Sequence, residues 1–273
     1  MAMITIGFIL LGLVLPSHGQ VYQPRDITNA EFLQYYISGA ALSYQIDVKK
    51  CQPEPGRNNI TLYSFSEDID HGYVTVIKDA QWEMNFGVER QVNGQRLNLT
   101  GPAFRYTGFS LDNTGEAIIG FNDVNPVNNK NLAQAEIYCH MDQGDTSGLR
   151  IVATSPPGTA LANFVQLQTA VNVGYSLYYA IDIYRCKPVV STSDHQWIAG
   201  RLTGTRYDPD GNIVFTVQTT GLGFITVFNV KVKPDNSVTI KLYVYSKASK
   251  SSFENQDKNC TLGTQDTVRI FRQ

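Results

Sequence analysis

The chain of 273 residues carries 22 Lys and Arg against 24 Asp and Glu, a formal charge of -2, so it offers no net basic field to nucleic acid or to an anionic membrane. Hydrophobic residues make up 42% and charged residues 17%, the latter below the roughly 25% of an average domain, which excludes general disorder. Neither composition nor any motif names an activity.

The one long apolar run, Ile4 to Leu15, is 12 residues long, well short of the roughly 20 that span a bilayer. Pro16 breaks it, and Ser17-His18-Gly19 puts small residues at the -3 and -1 positions of a cleavage site. Residues 1–19 therefore read as a secretory signal peptide with Gln20 as the mature N-terminus, although the segment lacks the usual Lys or Arg. No later segment is apolar enough to stop transfer, so a soluble, secreted, extracellular protein is expected, without a membrane partner. Sequons at Asn59, Asn98 and Asn259 suit a glycoprotein on that route. The even set Cys51, Cys139, Cys186 and Cys260 suits disulfides in an oxidising compartment.

In chain order, Thr28 with Glu31 forms a capping box that opens a helix closed near Gly39, followed by an apolar alternation Leu42, Tyr44, Ile46, Val48. From Thr159 a second helix is expected, with Phe164, Leu167 and Val171 on one face and Gly174 at its end. Leu177, Tyr179, Ile181 and Ile183 then alternate as a strand with one buried face. Asp208-Pro209-Asp210-Gly211-Asn212 and Pro234-Asp235-Asn236-Ser237 read as hairpin turns, and Thr267 to Phe271 as a last strand.

These passages repeat. Gly39 with Gly174, Asp47 with Asp182 and Cys51 with Cys186 are each 135 residues apart, both copies reading Gly-x7-Asp-x3-Cys. A second block, Arg105-x-Thr107-Gly108-x3-Asp112-x2-Gly115, aligns with Arg201-x-Thr203-Gly204-x3-Asp208-x2-Gly211 at a spacing of 96. An internal repeat with a 39-residue insertion at about 52–102 explains both. The expected fold is thus α+β and β-rich, with two homologous domains, 20–155 and 159–273, meeting at Ser155-Pro156-Pro157-Gly158. Each has an N-terminal helix packed on an antiparallel sheet.

A helix, Gly, an apolar strand, Asp-x3-Cys, then Asp-x-Asp-Gly before Ile213-Val214-Phe215-Thr216, then Phe228-x-Val230-x-Val232-x-Pro234-Asp235 and a late Cys before the last strand resembles the VirK-like proteins. The resemblance covers Asn163 to Phe271, and in the first copy its beginning and Phe104 to about Ile137, where no Cys takes the late position. It implies a small secreted module present twice, with no established active site to carry over.

Asp47 and Asp182 end equivalent strands on the polar face, as a catalytic carboxylate would, but a turn-capping role is the commoner fate of such an Asp. Arg105 and Arg201 are candidate partners for them. His71, His140 and His195 have no ligand-spaced neighbours, so neither a metal site nor a cofactor is expected. Tyr178, Tyr184 and Tyr207 fall on the less buried faces and suit binding of a glycan or a protein. The function expected is a secreted binding or extracellular-matrix-associated protein with an unknown extracellular ligand. The alternative is a secreted enzyme of unrecognised type with a carboxylate site between the domains. Of the three disulfide pairings, Cys51–Cys139 with Cys186–Cys260 is favoured, because each bond joins the first strand of a unit to the neighbourhood of its last. A Cys51–Cys186 bond would tie the domains together instead.

Overall fold

A computed structural model describes residues 22–56, 64–69, 71–77, 81–92, 103–125, 127–128, 130–142, 144–190, 193–220, 224–246 and 252–273. Residues 1–19, expected to be a signal peptide, and the sequons at Asn59 and Asn98 lie outside these residues. The first half runs β1 (Arg25–Ile27), α1 (Asn29–Tyr36), β2 (Leu42–Ile46), β3 (Gln52–Pro53), β4 (Phe65–Asp68), β5 (His71–Ile77), β6 (Gln81–Val92), β7 (Ala103–Asp112), β8 (Glu116–Val124), β9 (Asn131–His140) and β10 (Leu149–Ala153). The second runs β11 (Thr159–Ala160), α2 (Phe164–Val173), β12 (Leu177–Asp182), β13 (His195–Arg201), β14 (Arg206–Tyr207), β15 (Ile213–Thr220), β16 (Phe224–Val232), β17 (Ser237–Ser246), β18 (Ser252–Thr261) and β19 (Val268–Arg272). Among the described residues no helix is long and apolar enough to cross a membrane.

The helices start where side chains satisfy their orphan N–H groups. Thr28 accepts from the Glu31 N–H while Glu31 accepts from the Thr28 N–H at 2.9 Å, closing the expected capping box. The second helix is capped by Asn163, which accepts from the Gln166 N–H at 3.0 Å, and not by Thr159, which is taken into β11 against Arg272. Gly174 closes it in the left-handed region as expected. The first helix ends at Tyr36, before Gly39, whose φ of +73° goes with a close approach: a Cβ there would stand 2.6 Å from the Phe271 ring.

The fold is α+β and β-rich, and every strand pairing is antiparallel. Three sheets have the orders β1-β10-β2-β4, β11-β19-β12-β13-β5-β6-β7-β8-β9-β3 and β14-β15-β16-β17-β18. The middle sheet draws strands from both halves, because β13 pairs with β5 from His195↔Val76 to Gly200↔His71. The β5–β6 hairpin, which falls within the insertion expected at about 52–102, is therefore a seam shared by both halves. One core lies between the first sheet, α1 and β5–β9, and holds Phe32, Tyr44, Phe86 and Phe109; the other lies between α2, β12, β19 and β15–β18. Strand β12 faces both: Tyr179 and Ile181 enter the second core while Ala180 enters the first, so the expected polar face is buried.

Hydrogen bonds recur between the halves. Asp47 N–H donates to Gly148 and Asp182 N–H to Thr267, at 2.9 and 2.8 Å, and Met141 N–H donates to Gly115 as Leu262 N–H does to Asn236, both at 2.9 Å. Cys139 pairs across its hairpin with Ala117, and Cys260 with Val238, so each stands on the strand before the last of its half, and Cys139 takes the late position that the first copy was expected to lack. The disulfides are Cys51–Cys139 and Cys186–Cys260. Arg105 and Arg201, by contrast, do not stand on matching strands: Arg105 is inside β7, two strands before β9, whereas Arg201 ends β13, with five strands still to follow before β19. What their motifs share is turn chemistry. Asp112 Oδ1 accepts from the N–H groups of Thr114 and Glu116, and Asp208 Oδ1 from those of Asp210 and Asn212, with Gly115 and Gly211 left-handed in the same place.

Candidate functional site

Strand alternation gives the third sheet one apolar face: Phe215 and Val217 on β15, Phe228 and Val230 on β16, Ile240 on β17. One end of that face covers α2 and β12. The other end, with Thr219, Phe228, Leu242 and Val244, looks across at the outer face of β6–β8, and the two enclose a cavity of about 910 Å³. Ile183 and Tyr184 line it from the turn after β12, and Ile198 from β13.

The facing wall is unusually bare. Gly87 stands beside Gly108, Gly108 beside Gly120, and Gly120 beside Glu136, so three adjacent strands put a glycine in one cross-strand row. Their neighbours Phe86, Phe109 and Ile119 point into the first core, which turns the glycines outward. No atom lies within 4 Å of where a Gly120 Cβ would stand. A side chain in this row would occupy the cavity, so glycine there sets its depth.

One charged group on the opposite wall is buried. Lys258, on β18 two residues before Cys260, is 3% exposed and donates from Nζ to the Pro188 carbonyl at 3.1 Å. It makes no ion pair among the described residues, and it lines the cavity together with Gln256 and Glu136. Glu136 accepts the Tyr138 hydroxyl at 2.9 Å.

The aspartates of the two Gly-x7-Asp-x3-Cys passages part ways. Asp47 caps the 3-10 turn Val48–Lys50, accepting from the Lys49 N–H and the Ser64 hydroxyl, both at 3.2 Å, and is half exposed. Asp182 is 3% exposed and accepts from His195 Nδ1–H and, at 3.3 Å, from the Gln196 N–H. Arg185 Nη2 lies 3.4 Å from His195 Nε2, the imidazole stacks on Trp197, and the Arg269 guanidinium sits 4.2 Å over the Trp197 ring. Burial pushes the Arg269 pKa down, with Asp182 opposing it. This cluster lies on the face of β12 and β13 turned away from the cavity. It holds an imidazole in one tautomer, with Nε2 directed at a guanidinium; among the described residues no hydroxyl or thiol reaches that nitrogen.

The remaining candidates are scattered. Tyr178 packs against the first core, Tyr184 lines the cavity, and Tyr207 donates to Asn172 Oδ1 at 2.8 Å beside α2, so the three tyrosines form no common platform. Arg105 pairs with neither repeat aspartate but with buried Asp123, at 2.6 and 2.8 Å. Asn259 is exposed. Among the described residues no three His, Cys, Asp or Glu side chains converge as a metal site would require. Sequence reasoning missed Lys258, His195 and the glycine row. The signal for Lys258 was its place two residues before a disulfide cysteine, hence on the same buried face.

No protein-family profile matches the chain, and no curated protein matches it either. Among solved structures the chain is distantly similar to a VirK family protein from Legionella pneumophila, with 21% identity over 45% of this chain and 94% of that one, at a TM-score of 0.36.

Proposed function

We propose that the protein is a secreted binding protein built from two tandem units of the VirK-like type, and that its central cleft takes a small, mainly apolar molecule. The observation that carries the binding reading is the cavity of about 910 Å³ between the glycine row and the apolar end of the third sheet. Ligand sites of this kind are concave and mostly apolar, with few polar groups, and run to about 300–1,000 Å³. The enzymatic alternative of a carboxylate pair in the cleft is weaker, since neither Asp47 nor Asp182 lines it.

Two further features support tandem units. The order β1-β10-β2-β4 is the order β11-β19-β12-β13, each following or enclosing one helix. The spacing of matching residues falls from 135 at Asp47 and Asp182 to 121 at Cys139 and Cys260, so the first unit is longer between these points by a net 14 residues and not by a 39-residue block. Secretion is supported by the leader pattern of residues 1–19 and by two disulfides that close all four cysteines.

The test fills the cleft. Gly120→Leu places a side chain in the cavity without a clash in the wall, so a solvatochromic apolar probe should bind the wild-type chain and lose at least tenfold in affinity to the variant, with Tm unchanged. Equal binding by both chains would move the site elsewhere.

A further inference from the structure

We propose that the ligand of the cleft is an amphipathic monocarboxylate whose head group is held by Lys258; this rests on the reading of the cleft as the binding site. A lysine 97% removed from solvent is ordinarily paired, because an isolated ammonium is poorly solvated among apolar side chains. Lys258 uses one N–H for the Pro188 carbonyl and makes no ion pair among the described residues, which leaves two donors for the two oxygens of one carboxylate. It is the one cation among the described residues that line the cavity, and Glu136 is the one carboxylate. Lys258 alone can pair with an anionic head group and Glu136 already offsets its charge across the cavity, so the site takes at most a monoanion, held at Lys258, whereas a phosphate dianion would lack a second positive partner. Away from Lys258 the walls are Ile198, Phe228, Leu242 and Val244 on one side and the glycine strip on the other. That surface suits an unbranched hydrocarbon chain lying flat on the sheet.

The experiment uses the full secreted chain and two fluorescent polyenes of equal length, cis-parinaric acid and its alcohol. Expected is at least tenfold tighter binding of the acid by the wild type. Lys258→Met should abolish that preference while holding the alcohol within twofold, and Lys258→Arg should restore the preference. Equal binding of acid and alcohol by the wild type overturns the carboxylate assignment and leaves the cleft reading standing. Loss of the preference with Gly120→Leu but not with Lys258→Met overturns the role of Lys258. Binding of neither polyene by the wild type overturns both. The wild-type comparison decides even where Lys258→Met fails to fold.

Discussion

The Tyr36 hydroxyl, at the end of α1, donates to the Ala199 carbonyl at 3.0 Å and accepts from the Ala199 N–H at 3.3 Å, although the two residues are 163 apart. A helix of the first half thus hydrogen-bonds a strand of the second, where β13 meets β5. Gly72 makes room for it: a Cβ there would lie 3.1 Å from the hydroxyl. Burial pushes the Tyr36 pKa up, so the group stays a neutral phenol.

Tyr36→Phe should cost about 1–3 kcal/mol, because it strips a buried backbone carbonyl and N–H of a partner. Urea unfolding followed by tryptophan fluorescence measures it. If the hydroxyl is a stitch between the halves, the transition should also lose cooperativity, with Trp82 and Trp197 reporting separately.

The two disulfides close long loops, with sequence separations of 88 and 74. Replacing Cys186 and Cys260 together by Ala should destabilise by up to about 4–5 kcal/mol on the chain-entropy account, and Cys51 with Cys139 likewise. Non-reducing peptide mapping should recover Cys51 with Cys139 and Cys186 with Cys260; a Cys51–Cys186 peptide would contradict the pairing.

Asp47→Asn and Asp182→Asn should diverge. The first alters an exposed turn cap and should change stability by about 0–1 kcal/mol. The second removes the buried charge opposite His195 and leaves one oxygen for two donors, His195 Nδ1–H and the Gln196 N–H, so it should cost about 3 kcal/mol, near the lower end for a broken buried pair because His195 is one-third exposed. Thermal unfolding of the two variants side by side reads the difference.

Arg25, hydrogen-bonded at 2.7 Å, holds the Glu31 carboxyl down at about 2 from its ordinary 4.5. A depressed folded-state value contributes stability above the unfolded pKa and loses it as pH falls through the folded one, so the loss spans roughly pH 4.5 to 2. The pair is exposed and screened by solvent, so its contribution is small. Glu31→Gln should flatten that part of the pH–stability curve and leave stability at pH 7 nearly unchanged.

The sequence alone determined the parts governed by short-range chemistry. The capping box of Thr28 and Glu31, the left-handed stop at Gly174, the alternation along Leu177, Tyr179 and Ile181 and the hairpin turn at Asp208 each depend on residues within a few positions. The same locality misled the repeat alignment: Asp112 and Asp208 build one kind of turn on strands that do not correspond, because turn chemistry records a hairpin and not its place in a sheet. Tertiary structure decided what depends on register between distant strands. Whether β13 would find β5, whether Gly87, Gly108 and Gly120 would fall in one row, and whether Asp182 would meet His195 are settled by pairings between segments far apart in sequence. Burial of Lys258 follows from the same cause. Its neighbours in sequence, Asp257 and Asn259, alternate to solvent, and only the sheet packed opposite β18 turns its side into the wall of a cleft.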